Sequence, residues 1–219
     1  MTDISFADWV DHCFDHKVGG LQWYFDPNAP FIELPPATAA DYLTRLFRDP
    51  VPSLDRFSNE QLNQGLWYLI DSGGSAYVVD AMADAVPPAE RIGCIEAMFT
   101  LFEAVFAARC SEHLSHIDEP GADPLNAICY MWWDIMPFVP KPEEKAQRPI
   151  DSAVLDVMRR TLILPHVACQ ENALHGLGHW AYAYPRDVAR IVDDFLAKAR
   201  DLRPDLRQYA ENAKIGYVN

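Results

Sequence analysis

The chain has 219 residues, half of them apolar, and a formal net charge of −14, so a sizeable core is affordable while direct binding to phosphate backbones, which needs Lys and Arg, is excluded. No run of apolar residues is long enough to span a bilayer as a helix, and Met1-Thr2-Asp3-Ile4 lacks the basic and then apolar start of a signal peptide, so a cytoplasmic protein without membrane attachment is expected. Cys13, Cys94, Cys110, Cys129 and Cys169 are odd in number and contain no Cys-x-x-Cys pair, which reads as reduced thiols in a core.

In chain order, Phe6, Trp9, Val10, Cys13 and Phe14 recur at helical intervals in a first helix over 5–17, closed by Gly19-Gly20. His12 and His16, four apart on it, read as rim histidines. The stretch 22–36 is rich in aromatics and prolines and predicts an ordered loop against the core. Its Trp23 and Tyr24 are candidates for an interaction surface. Thr38 with Asp41 predicts a helix start running to Arg48, and Asp49-Pro50-Val51-Pro52 its stop. Ser58 with Gln61 is a stronger capping box, opening a helix with Leu62, Leu66, Leu69 and Ile70 inward and Trp67 beside them as a further surface candidate. Tyr77, Val78 and Met82 support a short helix.

Pro87-Pro88 opens a long one to Cys110, whose wide apolar stripe marks a central position. Between Ser111 and Asp123 lie His113, His116 and Asp118, the two histidines sharing a face if the helix continues. Leu125 to Met136 has its apolar stripe at Leu125, Ile128, Cys129, Trp132, Ile135 and Met136. Trp133 and Asp134 fall off it, which makes Trp133 the fourth surface candidate. The proline-flanked loop over 140–150 is the expected site of flexibility. Helices from Asp151 or Ser152, after Pro165, from Pro185 and from Pro204 complete the chain, the last anchored by Leu206 and Tyr209, with a loosely docked tail from Lys214.

The expected fold is thus all-α, a single domain over 1–219 of nine or ten helices packed as antiparallel pairs. Helix pairs recurring over 58–200, and Ala173-Leu-His-Gly-Leu-Gly-His179 after a proline break, resemble the two-helix units of HEAT and armadillo-type repeat proteins and are similar to those of uncharacterised bacterial helical proteins. The resemblance implies a superhelical array and no particular activity. An irregular bundle is the alternative.

The stretch Cys169 to Trp180 carries the most chemistry. Glu171, His175 and His179 recur every four residues and share one helical face, a spacing that can place two imidazoles and a carboxylate on one divalent metal, with His113, His116 or Asp118 completing the shell. There is no His-Glu-x-x-His, so the glutamate base of zinc peptidases is missing. Gly176 and Gly178 cost helix propensity and point instead to a neighbour packed very close, a reading in which the histidines serve structure alone. Cys169, near a helix start, is the best placed of the thiols for nucleophilic work.

Residues 1–140 hold 21 acidic and 6 basic side chains, net −15, so the acidity belongs to the first two thirds of the chain. The leading expectation is a non-enzymatic interaction protein offering this acidic surface to a basic protein partner, with no nucleic acid or membrane involved and no cofactor bound. The alternative is a metal-dependent hydrolase using Glu171, His175 and His179. A binder of apolar ligands through Trp23, Trp67, Trp132 or Trp133 is a third.

Overall fold

The computed structural model describes residues 4–199 and 201–218. The termini of the expected 1–219 domain, Met1–Asp3 and Asn219, and the close of the repeat-like span at Arg200 lie outside them. Among the described residues every regular element is helical and none is a strand, as expected. No helix among them is long and apolar enough to cross a membrane.

The first part of the chain forms α1 (Phe6–Phe14), α2 (Pro36–Arg48), α3 (Val51–Leu54), α4 (Asn59–Ile70), α5 (Tyr77–Ala81) and α6 (Pro88–Leu101). A wide π turn over Phe102–Phe106 prolongs α6 into α7 (Ala107–Arg109). After a 111–123 loop come α8 (Leu125–Ile135), α9 (Arg148–Thr161), α10 (Val167–Trp180), α11 (Pro185–Lys198) and α12 (Pro204–Lys214).

Local chemistry explains the boundaries. At α4 the capping box is present in both directions, Ser58 taking the Gln61 amide and Gln61 taking the Ser58 amide. Helix α2 starts at Pro36, two residues before the expected Thr38 cap, because a proline in the first turn needs no amide partner and carries its φ preset. The same holds for α9, which begins at Arg148 with Pro149 in its first turn. Helix α1 stops at Phe14, short of Lys17. The His16 ring turns back onto the His12 carbonyl at 2.7 Å and satisfies an acceptor at the helix end.

The core is one connected cluster running from Phe6 to Ala213. Helix α2 packs on α5 and α6, α6 on α9, and α4 on α1 and α8, while α10 lies among α8, α9, α11 and α12. A helix enclosed on so many sides is expected to bury most of its circumference. In α10 even Glu171, Asn172 and His175 are buried.

The two glycines of α10 mark close approaches. A Cβ on Gly176 would lie 2.7 Å from the Trp133 ring of α8, and one on Gly178 would lie 2.5 Å from Val218. The chain end is therefore packed against α10 at Val218, more tightly than the loose docking expected. Asn172 Nδ2 also donates to the Cys129 carbonyl at 2.5 Å, fastening α10 to α8.

Gly176→Ala and Gly93→Ala test these contacts, since both glycines are helical and both gain about 1 kcal/mol of helix propensity. The nearest group to a Cβ on Gly93 is Arg48 Nη2 at 3.9 Å, so that variant should be more stable by about 0.5–1 kcal/mol. Gly176→Ala should be less stable by about 1 kcal/mol or more, because Trp133 has no room to retreat. Urea unfolding midpoints of both variants decide the matter.

Candidate metal centre

The Glu171, His175 and His179 stripe exists as a helical face, but its first member is turned to other work. The Glu171 carboxylate is fully buried and accepts from the Ser115 amide at 2.8 Å and the His116 amide at 2.9 Å. It also binds His116 Nδ1 at 2.6 Å. Both oxygens are committed to the 3-10 turn Ser115–Ile117, because a buried carboxylate is tolerable only when hydrogen-bonded and this turn offers free amides. Glu171 and His116 are thereby removed from the expected ligand set and joined to each other. The helix expected to align His113 with His116 ends at Arg109; His113 sits beside Gly121, and Asp118, exposed, closes the turn with φ of +50°.

Asp134 takes the place intended for Glu171. Donor atoms of Asp134, His175 and His179 all lie within 4.8 Å of one another. His179 Nε2 is 3.1 Å from His175 Nε2 and 3.3 Å from Asp134 Oδ1. For ligands at about 2.0–2.1 Å from a tetrahedral zinc, neighbouring donors stand about 3.3–3.4 Å apart, so these separations suit a common ion. The packing supplies Asp134: Trp133 seats against Gly176, and the next residue along α8 is carried to the edge of the histidine face.

The rest of the surroundings orient His175. Its Nδ1 lies 2.7 Å from Tyr209 Oη of α12, which lies 3.1 Å from Tyr130 Oη of α8. The His116 ring stacks on Tyr209 at 4.1 Å, so Glu171 steadies the tyrosine through His116. With Nδ1 held by a hydroxyl, Nε2 is the atom left to face His179 and Asp134, an orientation that metal-binding imidazoles commonly receive from a polar neighbour. Burial, followed by the charge of His179, pulls the His175 pKa down to about 4, so near neutral pH the ring is uncharged, and in the tautomer that donates Nδ1–H to Tyr209 Oη the lone pair is on Nε2. Burial, with the Tyr130 hydrogen bond next, pushes Tyr209 far above the ordinary phenol range and keeps it protonated.

The chain matches no family model, no curated protein and no solved structure. The reading of the centre therefore rests on its own geometry.

The other candidates separate cleanly. Trp132 and Trp133 are core residues, 0% and 3% exposed, so neither can present a surface or line an open groove. Trp23, Tyr24 and Trp67 are half-buried. His12 bonds Tyr68 Oη at 3.1 Å and His16 stacks on Trp23 at 3.8 Å, which gives that pair structural partners. Cys169 has no exposed surface; a hydrogen bond with Cys129, and His166 as well, draw its thiol below the ordinary value, but no substrate can reach it. Nothing in the sequence assigns Asp134 or Tyr209 to this site. Only the position of Asp134 off the apolar stripe of its helix hinted at a separate task.

Two lowered histidines give the metal-free protein a pH dependence. His12 is also drawn to about 4, by burial first and His16 second. Unfolded histidine titrates near 6.5, so between these values the unfolded chain binds more protons and stability rises with pH. The contribution is complete above about 6.5 and falls away as pH drops towards 4. Between pH 5 and 6.5, above the ordinary carboxylate range, unfolding free energies measured in chelator should decline, and His175→Gln should flatten the slope by up to about 1 kcal/mol per pH unit. His12→Gln should flatten it less, since His12 is only half-buried.

Proposed function

We propose that this chain binds a divalent metal, with zinc the ion best suited, through Asp134 Oδ1, His175 Nε2 and His179 Nε2. The observation that carries the reading is the convergence of three donor atoms from two helices within 4.8 Å, with His175 pinned from behind by Tyr209. Two imidazoles and a carboxylate are a common zinc set, and three protein ligands leave a fourth position for water, whose pKa such an ion lowers to about 7. Asp134 and His179 are 40% and 38% exposed at the side chain, so that position opens to solvent. Hydrolysis at the centre would need a base other than Glu171, whose oxygens are occupied.

Protein purified without chelator should hold about one zinc per chain by elemental analysis. His175→Ala, His179→Ala and Asp134→Ala should each abolish stoichiometric binding in calorimetry. Tyr209→Phe keeps the ring but loses the hydroxyl and should weaken affinity about 10–100-fold. Absence of zinc binding by the wild type, or unchanged binding by His175→Ala, would overturn the reading.

A second reading, the acidic interaction surface, is supported by the concentration of charge in residues 1–140 and by Leu21, Phe25 and Phe31, which stand 74%, 49% and 62% exposed beside Asp26 and Glu33. A basic protein partner fits that combination of charge and apolar surface. Reversal of Asp26 and Glu33 to Lys should slow association with such a partner and reduce its dependence on salt; unchanged association in surface plasmon resonance would remove the electrostatic part of the reading.

A further inference from the structure

A second feature, independent of the metal reading, lies where α6, α9 and the end of α10 meet. The turn after α5, the 137–147 segment and these helices enclose a cleft of about 300 Å³, near the lower size of small-molecule sites. Arg91 of α6 lines it and is 9% exposed. Its Nε is buried without a hydrogen-bond partner, and its Nη1 makes only long contacts, 3.4 Å to the Met82 carbonyl and 3.3 Å to the fully exposed Asp84. A guanidinium nine-tenths buried with an idle donor is costly, and its flat fork of N–H groups matches a carboxylate.

The remaining lining selects the ligand further. Phe138, Val154 and Trp180 give the cleft apolar walls, and Lys141, whose ammonium is 3.4 Å from Glu144, lies on the side opened by the 137–147 segment. Asp151 lines it too, 1% exposed, with its oxygens taken up by the Lys141 amide at 2.8 Å, the Tyr184 hydroxyl at 2.6 Å and Gln147 at 3.2 Å. The Asp151 carboxylate repels any anion, and a dianion such as phosphate about twice as strongly as a monoanion, while Arg91, held only loosely by the exposed Asp84, can meet a single negative charge. We infer that the cleft binds a small monocarboxylate whose apolar body rests on Trp180 and whose carboxylate meets Arg91.

The probes are hexanoate and benzoate, with hexanamide and benzamide as uncharged matches and inorganic phosphate as a dianion. Binding is followed by the Arg91 Nε–H resonance in ¹H–¹⁵N spectra of the wild type and by calorimetry. One or both carboxylates should shift that resonance, the amides should bind at least about tenfold more weakly, and phosphate should leave it unmoved. Arg91→Gln should lose about tenfold or more in carboxylate affinity, while Lys141→Gln, an exposed change, should lose less. Equal binding of amides and carboxylates, an Arg91 signal that no carboxylate moves, or a stronger response to phosphate would each overturn the inference. If Arg91→Gln fails to fold, the wild-type resonance and the carboxylate-to-amide ratio decide alone. Zinc chelation should leave these results unchanged, so failure here is distinct from failure of the metal centre.

Discussion

The contact between Gly176 and Trp133 is the constraint on which the candidate centre depends. Helices can approach only as near as the side chains between them allow, and a glycine facing an indole removes the thickness of one side chain from the seam. Trp133 fills the space so made, 6.1 Å from the Phe102 ring and 6.4 Å from Phe138. Its neighbour Asp134 is delivered to the edge of α10, where His175 and His179 already share a face. A bulkier residue at 176 would push α8 outward and draw the carboxylate away from the imidazoles.

Buried charge in this protein is handled in three ways. Glu171 is saturated by two amides and an imidazole, and Asp151 by an amide, a phenol and a carboxamide, so both are the satisfied groups that low-dielectric interiors demand. His175 avoids charge by losing its proton readily. Arg91 is only partly satisfied: its Nη1 makes long contacts with the Met82 carbonyl and the exposed Asp84, while its Nε finds no acceptor. The saturated carboxylates and the partly satisfied guanidinium thus differ in their hydrogen bonds rather than in their burial.

Helix α10 links these features. Its middle carries Glu171 towards the 115–117 turn and His175 towards Tyr209, its last turn carries His179 towards Asp134, and Trp180 at its end lines the Arg91 cleft. One enclosed helix can serve so many neighbours because successive residues point 100° apart and each sector meets a different element.

Much of the secondary structure was legible in the sequence because it follows from local physics. The 3.6-residue apolar period, the Ser58–Gln61 box and the prolines at helix starts act within a few residues of chain, and they predict most of the helices. The expected stop at 49–52 nevertheless holds the start of the short α3, and α1, α2 and α9 differ from the expected ends by two to four residues. Gly176 and Gly178 announced close packing by their cost alone. Partner identity across the fold was not legible. Glu171 and Asp134 are both acidic residues on helices, and nothing within a few positions of either tells that the first will be consumed by the amides of Ser115 and His116 while the second reaches His179. Those pairings join residues 45 to 56 positions apart. The sequence determined by itself which residues form helices and which faces are apolar; only tertiary packing, by setting which faces meet and at what distance, decided which carboxylate stands beside the histidines.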